Sequence, residues 1–494
     1  MTNEEFIGSC ESELGEQAKI RREKLSELCE NGQNPYLITK FDTDCSALSI
    51  IANFEESEGK NVKIAGRMMS RRDMGKANFI NIADHSGVIQ AYVRKDDVGE
   101  LEYAGFKKWD IGDIIGMEGK VFKTKTGEIS IHACGITLLS KSLVPLPEKF
   151  HGLKDTDMRY RQRYLDLLIN SELKELFHKK QLFWNTARNF LSEKGFLEVE
   201  TPVLEVNSGG AAAAPFKTHH NALDIDVFLR ISMGELWQKK LLVAGFDKTF
   251  EIGRQFRNEG MSSEHLQDYT QLEFYWAYAG CENGMELVRD LYRRLTKAVT
   301  GSFKFVSRGF EIDMDKEWES YDFEDIIKEK FGIGIYRANI QQIKEKLDAL
   351  HVSYDPKLNY WRLVDVLWKV ARKDLAGPGF LTGQPIELNP LPKRLKSDPR
   401  KADQIQIIIA GSEMGNGYAE LNDPLDLEER FKEQRIMGEA GDTEAHRHDR
   451  DFIEALQYGM PPAFGFGVSE RLFSFIVDKP IRECVLFPLM KPKD

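Results

Sequence analysis

The sequence predicts an α+β protein of two bodies, a small N-terminal β-barrel and a larger C-terminal body of helices around an antiparallel sheet. Three observations predict it. Residues 61–140 are dense in short strand patterns. A proline-bearing stretch, Leu143-Val144-Pro145-Leu146-Pro147-Glu148-Lys149, then reads as a linker. From Asp157 onward helical and strand patterns mix to the end, with long period-two segments within 248–279 and 405–423. The expected boundaries are 1–145 for an N-terminal helix and barrel, 146–160 for the linker, and 161–494 for the C-terminal body, with a helical insertion at about 300–375.

Composition bounds the function. At roughly 150 residues per domain, 494 residues hold about three domain-sized units, or two if one is large. Hydrophobic residues at 41% and charged residues at 30% exclude a mostly disordered chain. The roughly eighteen consecutive apolar residues of a membrane span are nowhere present. Met1 to Glu5 is acidic and lacks the apolar segment of a signal peptide. Cys10, Cys29, Cys45, Cys134, Cys281 and Cys484 form no close pairs, which argues against a zinc ribbon or disulfide framework and fits a reducing cytoplasm. The net charge of −11 excludes a general polyanion binder, so any nucleic-acid contact must come from a local basic patch.

Residues 13–30 predict a helix, with Leu14, Ala18, Leu25 and Leu28 towards one side and Lys19, Arg21, Arg22 and Lys24 around it; Gly32 and Pro35 stop it. Strand patterns follow from Val62, at Phe79 to Ile82, at Val88 to Val93 beyond the turn Asp84-His85-Ser86-Gly87, at Gly112 to Gly116, and in a hairpin about Thr126-Gly127. Five short strands in about 80 residues suit an OB-fold barrel. Lys60, Lys63, Arg67, Arg71, Arg72 and Lys76 stand against one acid, Asp73. With Phe79 and Gln90 they suit single-stranded nucleic acid, or they form a solvated basic face.

In the C-terminal body, Phe250, Ile252, Arg254 and Phe256 alternate with Glu251, Gly253, Gln255 and Arg257 as in a strand, and Glu259 shares parity with Arg257. After a loop holding Glu264 and His265, a second strand at 269–278 puts Tyr269, Gln271, Glu273 and Tyr275 on one face. An apolar strand from Ile405 leads to Glu413-Met414-Gly415-Asn416-Gly417-Tyr418-Ala419-Glu420, with Asn416, Tyr418 and Glu420 on one face. The two glycines let the backbone approach a ligand or a neighbour. Gly465-Phe466-Gly467-Val468-Ser469-Glu470-Arg471 precedes a helix-like run. Each segment has a plain structural alternative: an ion pair on a sheet, a polar outer face, a surface arginine.

Together these residues resemble a known family. Phe256-Arg257-Asn258-Glu259 resembles motif 2 of the class II aminoacyl-tRNA synthetases, Gly195 to Pro202 resembles motif 1, and Gly465 to Arg471 resembles motif 3, in the family's order. Phe150 to Asp155, Arg159 to Leu167, Thr218 to Asp224, Phe122 to Glu128 and Gly415 to Asp423 are similar to the lysyl branch. The resemblance covers roughly residue 15 to the C-terminus.

It implies a ligase that activates L-lysine with ATP, releases pyrophosphate, and passes the lysyl group to the 3′ end of tRNA(Lys). It also implies a dimer through motif 1. No enzyme nucleophile is needed, so catalysis is positioning and charge neutralisation. Arg257 and Arg471 are the implied catalytic residues. Arg257 would hold the α-phosphate and the lysine carboxylate, Glu259 would read the adenine amino group, and Tyr269 and Arg471 would sandwich adenine. His265 would reach the outer phosphates and Glu413 would ligate magnesium (Mg2+). For lysine, Glu235 would bind the α-ammonium with Gly210 beside it. Glu273 and Glu420 would face the ε-ammonium, with Tyr275, Asn416 and Tyr418 as walls. Arg72, Phe79, Gln90 and Glu128 would grip the anticodon, and the 13–30 helix is either a solvated arm or a tRNA-touching one. Ala214 and Glu264 stand where members often carry Arg, and Gln406 where an acidic metal ligand is usual. The rivals are a relative that lysylates a protein (such relatives lack the barrel), an RNA-binding module with an inactive body, and a sibling synthetase of other specificity.

Overall fold

The computed structural model describes residues 15–147, 155–207, 209–211, 213–439 and 449–492. The expectations for Met1 to Glu5, Cys10, Leu14, the linker and motif residues 148–154, and Ala212 lie outside the described residues. The chain divides into two compact units, Met1–Leu153 and Lys154–Asp494.

In the first unit, α1 (Glu16–Glu30) precedes a closed barrel of β1 (Asn61–Asp73), β2 (Ala77–Ala83), β3 (Val88–Arg94), β4 (Ile114–Lys123) and β5 (Ile129–Ser140), in the order β1-β2-β3-β5-β4. This is the OB architecture. Strict alternation builds it: Ile80, Ile82, Ala91 and Val93 fill the interior while Phe79 and Tyr92 face outward. The patterns at Gly112 to Gly116 and Val121 to Lys123 prove to be one strand, β4. The solvated-arm expectation for α1 fails at two positions. Arg21 is buried and donates to the Ser142 carbonyl at 3.0 Å, and Lys24 pairs with Asp110 at 2.7 Å. The basic strand likewise spends Arg67 on the Gly112 carbonyl (2.6 Å) and Arg71 on Asn78 (2.9 Å).

The second unit is built on an eight-stranded sheet. Its strands are β6 (Leu197–Glu198), β7 (Lys248–Phe256), β8 (Asp268–Ala277), β9 (Glu319–Asp322), β10 (Gly379–Thr382), β11 (Gln404–Ile409), β12 (Ser412–Ala419) and β13 (Ala463–Ser469), ordered β9-β10-β11-β12-β13-β8-β7-β6. Pairing is antiparallel except at the two edges, β6–β7 and β9–β10. One face carries Phe250, Leu272, Phe274, Phe464 and Phe466 into a core with α2 (Glu172–Glu193) and α4 (Cys281–Thr300). Burying such aromatics contributes about 1.5–3 kcal/mol each. The other face is polar. A short helix, α3 (Trp237–Val243), leads into β7.

The expected helical insertion at 300–375 is helical only from Phe323, as α5 (Phe323–Phe331), α6 (Ile340–Ala349) and α7 (Tyr360–Ala371). Before it lie a hairpin, Lys304–Ser307 with Phe310–Asp313, and β9. Arg308 and Gly309 make its turn with φ of 52° and 84°, the left-handed pair that two-residue hairpins require.

Candidate active site

The polar face of the sheet lines a cavity of about 720 Å³. The pleat explains the lining. On β8, Tyr269, Gln271, Glu273 and Tyr275 face the cavity while Leu272 and Phe274 face the core. On β12, Asn416 and Tyr418 face it, and Glu420 follows the strand. Gly415 and Gly417 let the backbone pack on a neighbour: a Cβ there would lie 2.6 Å and 2.7 Å from the Phe466 ring. Arg471 opens α8 (Arg471–Ile476) directly after β13. Gly210, Glu235, Arg257, Glu259, His265 and Glu413 complete the wall from loops and strand ends. Every site residue expected in this body therefore meets in one cavity. Parity does not place Glu259, because β7 ends at Phe256. The loop does, with Glu259 accepting the Ala214 backbone N–H at 3.4 Å.

One end of the cavity is anionic and buried. Glu235, Glu273 and Glu420 are 4%, 5% and 0% exposed. Glu273 accepts from Gln255 Nε2 at 2.6 Å and from Gln271 Nε2 at 2.7 Å. Glu235 Oε2 accepts from the Tyr418 and Tyr275 hydroxyls at 2.6 Å and 3.1 Å. Its Oε1 pairs with Lys239 Nζ, which also pairs with Glu420. Gly210 has φ of +84°, and a Cβ there would lie 2.8 Å from Glu235 Cβ, so only glycine closes the wall so tightly. Burial, then the neighbouring Glu235, raises the Glu273 carboxyl above its usual range. Burial also pushes Tyr275 and Tyr418 up, keeping both as neutral hydrogen-bond donors. Burial alone would lower Lys239, but Glu235 and Glu420 outweigh it and hold the ammonium above its usual range.

The other end holds Arg257 and Arg471 among Glu259, Glu264 and Glu413. The Arg257 guanidinium lies 5.9 Å from the Tyr269 ring centroid and donates to the Ile231 carbonyl at 3.3 Å. Arg471 reaches His265 Nε2 at 3.1 Å, Glu264 Oε2 at 3.9 Å and the Glu413 carbonyl. Loss of solvent, then Arg471, lowers the His265 imidazole below its usual range, so it is neutral at pH 7. Glu413 Oε1 accepts from Trp368 Nε1 at 2.7 Å and lies 3.5 Å from Arg372 Nε. No group of three His, Cys, Asp or Glu with metal-site spacing occurs among the described residues. A magnesium ion carried by a nucleotide needs only one or two protein carboxylates, since phosphates and water complete its shell. Glu413 with the Gln406 amide beside the cavity fits that role and no dedicated cage.

Several neighbours carry no motif. Lys239 and Gln255 hold the carboxylates, Trp368 and Arg372 hold Glu413, and Gln384 and Gln404 line the cavity with buried amide atoms lacking partners. For Lys239 the available signal is its spacing of four from Glu235, the helical ion-pair interval.

In the barrel unit, Arg72 and Phe79 are cross-strand partners, with the guanidinium 5.4 Å from the ring centroid. Gln90 on β3 accepts from Ser130 at 3.0 Å, and Glu128 is exposed at the start of β5. Phe79 continues into a strip with Tyr92 (4.9 Å), His132 (5.2 Å from Tyr92) and Phe122 (5.8 Å from His132), a stacking platform the sequence marks only by alternation.

Residues 155–491 match the family described as tRNA synthetases class II (D, K and N), and residues 62–139 match the OB-fold nucleic acid binding domain. Lysine–tRNA ligases are similar over the whole chain. The one from Pelotomaculum thermopropionicum is 46% identical, covering 98% of this chain and 96% of its own. That of Syntrophomonas wolfei is 44% identical over 99% of both chains, and that of Clostridium perfringens 42% over 100% of both.

Proposed function

The chain belongs to the lysine–tRNA ligases of the class II tRNA synthetases, and from that premise we propose how its own residues divide the reaction. The activity is the ATP-dependent joining of lysine to tRNA. The observation that carries the division of labour is the arrangement within one cavity: three buried carboxylates at one end, Arg257 and Arg471 at the other.

The anionic end takes the two ammonium groups of lysine. Glu235, beside Gly210, receives the α-ammonium, and Glu273 and Glu420 face the ε-ammonium, with Tyr275, Asn416 and Tyr418 as walls. A neutral or acidic side chain would leave buried charge unpaired, a penalty that favours lysine strongly. Arg257 draws the lysine carboxylate and the α-phosphate together. A carboxylate oxygen attacks the α-phosphorus, the bond to the β-phosphate oxygen breaks, and pyrophosphate leaves. Arg257 carries the charge that builds on the α-phosphate. Tyr269 and Arg471 bracket adenine, Glu259 accepts from its amino group, and His265, whose Nε2 accepts from Arg471, lies beside the outer phosphates. Glu413 and Gln406 would hold a magnesium ion carried by ATP, which would offset triphosphate charge. The terminal ribose hydroxyl of tRNA then attacks the activated carbonyl and AMP departs.

The barrel presents Arg72, Phe79, Gln90 and Glu128 to unstacked anticodon bases. The protein acts in the cytoplasm as a homodimer. Exposed Leu197, Val203, Leu204 and Val206, all at or just after motif 1, support that interface, and sedimentation velocity tests it. No helix among the described residues is long and apolar enough to cross a membrane.

ATP–pyrophosphate exchange with each of the twenty amino acids, magnesium present and tRNA absent, tests the whole reading. Exchange with lysine alone is expected. Exchange with another amino acid would make it a sibling of different specificity.

A further inference from the structure

Behind the carboxylate end of the cavity lies a buried cation. Lys239 is 1% exposed, on α3, one helical turn after Glu235. Its ammonium pairs with Glu235 and Glu420 and lies 5.6 Å and 5.7 Å from the Tyr418 and Phe452 ring centroids. An ammonium so enclosed has no access to solvent and persists only because two carboxylates compensate it.

The charges at this end can be counted. Burial raises Glu273 and, well above its usual range, Glu420, so their charges depend on ammonium groups beside them; ionised, Glu235, Glu273 and Glu420 bring three negative charges, and Lys239 brings one positive charge. The adjacent Arg230–Glu251 pair, at 2.6 Å and buried, cancels itself, and buried Glu205, bonded to Trp237 and raised to about 7, lies outside the cavity lining. The substrate's carboxylate is met at the far end by Arg257. What remains is a deficit of two positive charges, the number that the α- and ε-ammonium groups of lysine supply. An amino acid with an uncharged side chain supplies only one.

We propose that Lys239 is a positioning residue that sets the amino-acid pocket to accept a dication. It does so by neutralising one of the three carboxylates and holding Glu235 and Glu420 in a fixed geometry. The proposal rests on the lysine site assigned above. It predicts a compensation that a merely structural lysine would not show. Removing Lys239 leaves one negative charge too many beside bound lysine, and removing Glu420 leaves one positive charge too many. Removing both restores balance.

The test is pyrophosphate exchange by purified full-length wild type, Lys239→Met, Glu420→Gln and the double variant, titrating lysine at saturating ATP and ATP at saturating lysine. Thermal melts establish that each is folded. Each single substitution is expected to raise the lysine KM by roughly a hundredfold, the scale of a buried charge without its partner, with the ATP KM unchanged. The double variant is expected to recover about tenfold or more relative to either single. A double variant no better than the worse single overturns the proposal, as does an ATP KM that rises in step. If Lys239→Met does not fold alone, Glu420→Gln against the double variant decides. A double variant that also fails to fold overturns the proposal, because a balanced pair should restore the fold. Absence of lysine exchange by wild type would instead refute the assigned function.

Discussion

Gly465 and Gly467 sit two residues apart on β13, and the structure assigns them opposite tolerance for a methyl group. Gly465 is held in register between Tyr275 of β8 and Tyr418 of β12, so its backbone cannot withdraw without breaking ladders on both sides. A Cβ there would collide with Glu420 Oε1 and lie 2.7 Å from Tyr275 Cε1. The carboxylate could yield only by leaving buried Lys239. At Gly467 the nearest atoms are Gln271 Nε2 at 3.2 Å and Glu273 Cγ at 3.5 Å, which a flexible amide accommodates with a small shift. Neither position has the left-handed φ that would disfavour alanine. Overpacking of a rigid wall costs about 1–3 kcal/mol. Falling on the lysine pocket, that is roughly a 5- to 150-fold rise in lysine KM for Gly465→Ala. Gly467→Ala should stay within about threefold, below ~0.7 kcal/mol. The assay is pyrophosphate exchange with lysine titrated at saturating ATP. Equal effects of the two alanines, or an unchanged lysine KM in folded Gly465→Ala, would refute the placement of Glu420 against this strand.

Three further outcomes follow from other parts of the structure. Phe79→Ala should raise the tRNA KM for charging by roughly tenfold, on the scale of one base–aromatic stack, with tRNA-independent exchange intact; loss of both would point to misfolding. Because burial and Glu235 raise Glu273 above the usual carboxylate range, it takes up a proton earlier as pH falls. The lysine KM should therefore climb towards acid pH and level off near neutrality, with no matching trend for ATP. Burial also raises Glu205 from 4.5 to about 7, despite a 2.8 Å hydrogen bond from Trp237. A carboxyl raised in the folded state binds a proton that the unfolded chain releases. Stability is thus fullest below about pH 4.5 and falls by about 3 kcal/mol as pH rises through 7. Glu205→Gln should flatten that slope, so the melting temperature of the variant minus that of wild type should increase from pH 5 to pH 8.

Alternation is a local property, and it made the sheet legible. The parity of Tyr269, Gln271, Glu273 and Tyr275 names the cavity face of β8, and the alternate Leu272 and Phe274 are fully buried. The closed barrel was legible for the same reason. The sequence is less informative where placement depends on a partner far along the chain. Arg21 looked solvent-bound because the carbonyl it serves is 121 residues away. Lys239 carries no motif, and one of its two partners, Glu420, comes from far along the chain. Glu259 reached its site by a loop hydrogen bond to Ala214, which no periodicity encodes. The hairpin before the insertion was marked by Arg308-Gly309, a turn weaker in sequence than Asn-Gly, and its four-residue strands are too short to show a period.

The departures from the family pattern fall at the nucleotide end, and the structure shows what each position still provides. Ala214 contributes main-chain atoms: its N–H reaches Glu259 at 3.4 Å and its carbonyl accepts from Asn258 at 2.8 Å. An arginine's backbone would serve identically, so the adenine-reading carboxylate does not depend on the missing side chain. Glu264 stands 3.9 Å from Arg471 and opposes the positive field that outer phosphates meet. Gln406 removes one negative charge from beside Glu413 and acts the other way. Under the proposed assignment, phosphate charge therefore rests on Arg257 and Arg471, each already oriented by a backbone carbonyl, that of Ile231 and that of Glu413. In the proposed assignment the lysine end is the converse: its selectivity comes from charges so deeply buried that they must cancel among themselves and the substrate. The cavity thus splits the reaction's two demands, holding a flexible polyanion with fixed cations and reading a small dication with a counted set of carboxylates.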